Sequence, residues 1–348
     1  MIRIQNIYYM LAYAFRNLKV SDSFLGEVEE FEEAKELLSE LLYQSLKRVV
    51  KRGIEQEYRQ KQGSQKGIRG KIHVVETLKE NARQKQSAVC MYQEQTKNHR
   101  RNQIIKTTLQ ILVSSSIPEE RRKKLKKMLR YFKEVEVIPY QNIRWSEQKY
   151  EKNSQYTCIL TLCYFILEGL IQTDRSGKTK IRKCLDERPM SRLYEKFLLE
   201  YYKKEMPRLQ VKASQIPWIL DEGEPLLLPR MQTDIMISDQ TKTLIIDAKY
   251  YEKVLYTRKD FGTQTLHSQN LYQIFTYVKN QDKERNGTVT GLLLYAKTEE
   301  EGDISYEYKM SGNLILAKTL DLSVPFAQVK QQLNQIVEDI FGKQNFSE

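Results

Sequence analysis

Two apolar runs carry the residues best suited to chemistry. Thr233-Asp234-Ile235-Met236-Ile237 and Leu244-Ile245-Ile246-Asp247-Ala248-Lys249-Tyr250-Tyr251 both read as strands, and each holds a carboxylate. Residues two apart on a strand point to the same face, so Asp247 and Lys249 share one. Pairing of the two strands can bring Asp234 beside them. Two carboxylates and an ammonium at one spot suit an oxygen-ligated divalent cation and an activated water, as phosphodiester hydrolysis requires. Asp234 and Asp247 are the candidate ligands, with the backbone carbonyl of Ala248 as a further oxygen. Lys249 would position the water or stabilise the developing negative charge. Glu195, on a helical stretch upstream, can complete the shell from the side, although an exposed helical glutamate is commonplace. A lone strand Asp is ordinarily an edge residue. Here the surroundings are apolar, and burying Asp247 and Lys249 without purpose is costly.

The elements that must position these residues follow from spacing. Leu193, Tyr194, Phe197, Leu198 and Tyr201 mark a helix from Ser191, and strands are expected at about 226–230, 232–238 and 243–250. A second helix carries Leu271, Tyr272, Phe275 and Val278. Gln273 and Tyr277, four apart, face the same way and could brace the catalytic strand or touch a polynucleotide; a plain helix-face hydrogen bond fits the spacing equally. Strands at 288–296, 306–310 and 313–319 precede a closing helix built on Phe326, Val329, Leu333, Ile336, Val337 and Ile340. Helix, antiparallel strands, helix and strand in this order predict a mixed α/β sandwich.

The first half is different in character. An aromatic helix is expected at 7–15 and another through Leu38, Leu41, Leu42, Leu46 and Val49. Alternation from Glu57 to Val75 around Gly63-Ser-Gln-Lys-Gly67 predicts a β-hairpin with a basic tip. Further helices are expected at 100–113 and 156–171. Ser116-Ile-Pro-Glu119 resembles a capping box opening another, with Leu125, Met128, Leu129 and Phe132 inside. Its other face, Arg121, Arg122, Lys123, Lys124, Lys126, Lys127 and Arg130, could track phosphates or be merely solvated. The expected division is 1–172, a partner-docking domain of helices with the hairpin at about 57–75, and 173–348, the catalytic domain.

Composition narrows the classes. The chain has 348 residues and a formal net charge of +12, which favours an anionic partner, most commonly nucleic acid. Cys90, Cys158, Cys163 and Cys184 form no CxxC pair, and with only three histidines a zinc site is not expected. No run is apolar enough to span a membrane and the start lacks signal-peptide features, so a cytoplasmic location is expected. Gly177-Lys178-Thr179 is not a P-loop: Gln172 stands where the pattern needs Gly, and a helix precedes it.

With these residues in view, the chain resembles the McrC subunit of McrBC-type modification-dependent, 5-methylcytosine-directed restriction systems. Ile4-Gln-Asn-Ile-Tyr-Tyr-Met-Leu-Ala-Tyr-Ala is similar to that family's aromatic opening, and Gly67-Ile-Arg69-Gly70-Lys-Ile72 to its Arg-Gly-x-Ile motif. Tyr92-Gln-Glu94 with Asn98 and Asn102 resembles the next block. Leu193-Tyr194-Glu195, Asp234, Asp247-Ala-Lys249 and Tyr272-Gln273-x-x-x-Tyr277 resemble its PD-(D/E)xK nuclease core. Thr233 departs from the family's proline before the first Asp.

The resemblance implies an antiphage endonuclease that needs Mg²⁺, with Mn²⁺ able to substitute. It implies catalytic roles for Asp234, Asp247, Lys249 and Gln273, on a restriction-endonuclease-like domain. It also implies docking of the N-terminal region on a hexameric McrB-type AAA+ GTPase, with GTP bound by that partner and not by this chain. The hairpin is then the candidate to enter the ring. Two alternatives remain open: a stand-alone RecB-like DNA repair nuclease, and a non-catalytic adaptor regulating an AAA+ GTPase.

Overall fold

The computed structural model describes residues 2–15, 34–81, 87–145, 155–176, 187–251, 255–257, 264–297 and 302–342. Two compact units emerge: residues 33–180, and residues 1–32 together with 181–348. The first unit is thus inserted in the second. The expected division at 172/173 lies near one junction. The opening helix, however, belongs with the unit expected to be catalytic rather than with the expected docking domain.

That helix is α1 (Ile4–Ala14). Its buried face sets Asn6 against the backbone carbonyls of Leu322 and Val324 at 2.8 and 2.7 Å. Tyr9 stacks on Phe326 with ring centroids 4.1 Å apart, and Tyr13 donates to Glu205 at 2.7 Å.

In the inserted unit, α2 (Ala34–Arg52), α4 (Arg100–Ser114), α5 (Glu119–Leu129) and α6 (Gln155–Ser176) pack through buried Leu41, Leu42, Leu46, Ile105, Leu109, Leu125 and Leu162. Between α2 and α4 lie β1 (Glu57–Gln65), β2 (Lys71–Ile72), α3 (Val74–Asn81) and β3 (Ala88–Thr96). The expected hairpin is corrected here. The sheet order is β1-β3-β2, so β1 pairs along its whole length with β3 and not with the segment that follows it. Gly63 lies inside β1, paired with Cys90, and the chain turns only after Gln65. The short span to β2 could not reveal a strand supplied from twenty residues further on.

Two more expectations change. Pro118 is the N-cap of α5, and no side chain caps that helix end. Its basic face is partly spent inside the unit: Arg121 donates to the Glu36 carbonyl at 2.6 Å and Arg122 pairs with Glu119. Helix α6 continues through Ser176, beyond the helix end expected at 171, while Gly177-Lys178-Thr179 lies outside the described residues.

The unit that contains α1 continues with α7 (Glu187–Glu205), β4 (Gln210–Lys212), β5 (Gln215–Ile216), β6 (Met231–Gln232), β7 (Ile235–Ser238) and β8 (Thr243–Lys249). After β9 (Leu255–Thr257) and β10 (Gln264–Leu266) come α8 (Ser268–Gln281), β11 (Val289–Ala296), β12 (Ser305–Met310), β13 (Asn313–Leu320) and α9 (Phe326–Phe341). Residues 226–230, expected as a strand, form no strand; the apolar Leu226-Leu227-Leu228 is a solvent-exposed turn.

Six strands form one mixed sheet in the order β12-β13-β11-β8-β7-β4. The central β8, β11 and β13 run parallel and the flanking pairs antiparallel. Consecutive residues of β11 are all buried, as are those of β8 from Leu244 to Ala248, so both sheet faces are covered. Helix α8 covers the face of Ile245, Leu293 and Ile315. It comes close because Gly291 lacks a side chain: a Cβ there would sit 2.8 Å from Ile274 and 2.7 Å from Val278. Helices α7 and α9 are joined by Tyr201, whose hydroxyl donates to Asn334 at 2.7 Å.

Candidate active site

Asp234 and Asp247 come together through strand register. Ile235 pairs with Ile246 across β7 and β8, and one step further the same register sets Asp234 opposite Asp247. The strand that delivers Asp234 changes partners there: Met231 and Gln232 pair with β5, whereas Ile235 onward pairs with β8. Asp234 thus stands at a switch between two sheets. Its carboxylate accepts the Ala248 N–H at 2.9 Å.

A chain of polar contacts runs from this pair to α8. Lys249 Nζ lies 2.8 Å from Asp247 Oδ2 and donates to Gln273 Oε1 at 3.2 Å. Gln273 Nε2 donates to the Tyr277 hydroxyl at 2.9 Å, and that hydroxyl donates to the Gln232 carbonyl at 3.1 Å. Gln273 therefore holds the lysine, and Tyr277 ties Gln273 to the strand leading into Asp234. Spacing placed both on one helix face but did not choose between bracing and substrate contact; in this structure they brace.

Asp247 is only 2 % exposed, and this burial sets the electrostatics. Desolvation, with Asp247 and Glu195 nearby, pushes the Asp234 carboxyl up to about 8. Burial likewise raises Asp247, partly offset by Lys249. Burial disfavours the Lys249 ammonium, but Asp247 outweighs it and holds the lysine above its ordinary value. Near neutral pH the aspartate pair thus keeps a proton that separate carboxylates would lose. Burial also raises Glu195, which accepts the Ser191 hydroxyl at 2.9 Å.

The donor set fits a divalent cation at the aspartate pair. Two largely desolvated carboxylates at one register position ionise together at little cost only with a cation between them. Glu195 contributes to their field but does not close on them: no three His, Cys, Asp or Glu side chains among the described residues form a metal-ready group.

Reasoning from spacing missed one neighbouring network. Buried Asn270 on α8 donates to the Tyr295 hydroxyl at 3.3 Å and accepts from the Tyr251 hydroxyl at 3.2 Å. Tyr295 is the cross-strand neighbour of Lys249. The signal was present, since Asn270, Gln273 and Tyr277 fall on one helical stripe.

The motifs of the inserted unit also meet. Arg69 lies over the Tyr92 ring at 4.8 Å, and Lys61 pairs with Glu94. Gly70 has φ +72°, and a Cβ there would collide with the Met91 carbonyl, which explains a glycine in Arg-Gly-x-Ile. Asn102 donates to the carbonyls of Glu55 and Lys97, both at 2.9 Å.

A mixed α/β sheet carrying an acid–lysine site is the class these features define. Residues 4–296 match the McrBC 5-methylcytosine restriction system component family, and the chain belongs to that family. It is 28 % identical, over 97 % of its length and 98 % of the relative's, to the type IV methyl-directed restriction enzyme EcoKMcrBC of Escherichia coli K12. Among solved structures it is similar to a half-complex of Thermococcus gammatolerans McrB AAA+ hexamers with bound McrC. There the TM-score is 0.44 at 15 % identity, covering 97 % of this chain and 76 % of that one. A second McrBC complex from that organism matches with TM-score 0.37 at 18 % identity, over 52 % and 59 % of the two chains. These structural likenesses are loose, and family membership rests on the sequence match. Among the described residues, no helix is long and apolar enough to cross a membrane.

Proposed function

We propose that this chain is the Mg²⁺-dependent DNA endonuclease subunit of a modification-dependent restriction complex, docking on and stimulating a hexameric AAA+ GTPase. The hydrogen-bonded constellation of Asp234, Asp247, Lys249 and Gln273 carries the reading. Asp234, Asp247 and the Ala248 carbonyl would hold the cation, with Glu195, which here accepts the Ser191 hydroxyl, as a further candidate ligand. The cation, Mg²⁺ or Mn²⁺, neutralises phosphate charge and makes a water more acidic. Lys249, held by Gln273 and Asp247, directs its ammonium at the attacking water and the charge that develops on the phosphate. The E. coli relative's name, a methyl-directed restriction enzyme, and the McrB AAA+ hexamers of the archaeal complexes support the substrate and the partner. GTP then belongs to the partner, and the complex works in the cytoplasm.

The test is cleavage of methylated plasmid by the purified chain with its cognate AAA+ protein, GTP and Mg²⁺. Cutting that needs all components, stops with EDTA and vanishes in Asp247→Ala is expected. Cutting without the partner would instead indicate a stand-alone nuclease. GTPase stimulation with no cutting under any condition would indicate an adaptor.

A further inference from the structure

The strand that bears Asp234 leaves one sheet and enters another within three residues, and Thr233 is the pivot. Thr233 is 2 % exposed. Its N–H donates to the Ser214 carbonyl at 2.9 Å, continuing the β5–β6 ladder by one pair. An ordinary ladder would next send the Ser214 N–H to the Thr233 carbonyl. Here the Ser214 N–H goes to the Thr233 hydroxyl at 3.1 Å, and that hydroxyl also lies 3.1 Å from the Ser214 carbonyl. The Thr233 carbonyl is released and accepts the Gln232 side-chain amide at 3.3 Å. The side chain has replaced its own backbone oxygen, so the backbone is free to swing toward β8 while the old sheet stays satisfied. The next residue is Asp234, whose carboxylate then meets the Ala248 N–H.

We infer that Thr233 is a positioning residue: its hydroxyl pins the sheet-to-sheet switch that aims Asp234 at Asp247. In the family pattern a proline occupies this place and restricts the backbone covalently. Threonine does it here with three hydrogen bonds, none of which proline can make. The two solutions are not interchangeable in this chain. The inference rests on the nuclease reading for its effect on rate, but the geometry can be tested without it.

Thr233→Val keeps the shape and removes the hydroxyl; Thr233→Ser keeps the hydroxyl and removes a methyl. Valine is expected to lower kcat about tenfold to a hundredfold with KM for DNA unchanged, and serine to stay within about threefold of wild type. If packing were the role, the order would reverse, and that reversal overturns the inference. The second readout is amide hydrogen exchange at Ala248 in the metal-free chain. It should quicken in the valine variant and not in the serine variant, with Leu292 to Leu294 unchanged as control. Equal Ala248 protection in all three proteins overturns the inference even if no cleavage is ever seen. Wild-type cleavage failure with the exchange difference intact would count against the nuclease reading alone.

Discussion

The same ion-pair chemistry appears in both units with opposite meaning. In the inserted unit Lys61 on β1 pairs with Glu94 on β3, and both side chains face solvent. In the unit with the candidate site Lys249 pairs with Asp247, and both are largely desolvated. The exposed pair lowers the Glu94 pKa through a hydrogen bond and charge from Lys61, an effect that salt screens. The buried pair cannot be screened, and removal of either partner strands a charge. Exposed charge decorates a surface strand, whereas buried charge in an otherwise apolar strand marks the place where stability has been sacrificed to chemistry.

The largest expected effect breaks the buried pair. Asp247→Ala and Lys249→Ala should each reduce DNA cleavage by about a thousandfold or more, whereas Lys61→Ala should leave the intrinsic cleavage chemistry intact. Gel assays with and without Mg²⁺ check this, alongside far-UV circular dichroism for folding. Equal losses in Lys61→Ala and Lys249→Ala would erase the contrast.

The next effect reads the cost of burial directly. A carboxylate raised in the fold binds a proton that the unfolded chain has already released. Stability from this group therefore falls as pH rises from about 4, the unfolded value, through about 8, the folded value of Asp234. Asp234→Asn, whose amide oxygen can still accept the Ala248 N–H, should stabilise the metal-free protein by about 1–4 kcal/mol at pH 8. The gain should fade toward pH 4. Thermal melts in EDTA across this range test it; a gain that grows as pH falls would reverse the sign argued here.

Much of this contrast could be read from the amino acids. Periodicity located β7, β8, β11, β12, β13, α8 and α9 to within a few residues, because each buries a continuous stripe or run. Asp234, Asp247, Lys249 and Gln273 do meet, since strand register and helix spacing are local properties. Non-local pairing was hidden. Nothing between Glu57 and Val75 announces that β3 supplies the partner of β1. The membership of α1 in the catalytic unit depends on Leu322, Val324 and Phe326, more than three hundred residues away. Leu226-Leu227-Leu228 looked like a strand by composition, but two flanking prolines and no partner leave it a turn. The Glu195 contribution was half readable: its helix and its partner Ser191, one turn earlier, follow from spacing, while its place in the field of the aspartates belongs to three dimensions.

A smaller effect probes the exposed unit. Gly70→Ala forces a side chain into the Met91 carbonyl at a left-handed position and should destabilise the three-stranded sheet by about 1–3 kcal/mol. GTPase stimulation and complex formation should drop, while basal cleavage chemistry is retained. Unchanged stimulation would remove this sheet from the docking surface.

The smallest effect concerns α5. With Arg121 and Arg122 engaged internally, charge reversal at Lys123, Lys126 and Lys127 should alter DNA affinity less than about threefold and leave its salt dependence unchanged. A flattened salt slope would instead place this helix on DNA.

The union of α1 with α9 has a consequence for biosynthesis. Asn6 binds carbonyls 316 and 318 residues downstream, so α1 must wait for a segment made much later. The inserted unit can fold during that interval, but the catalytic unit cannot close until its distant end emerges. A chain broken before Leu322 would lack the carbonyls that hold Asn6, and α1 would have no seat.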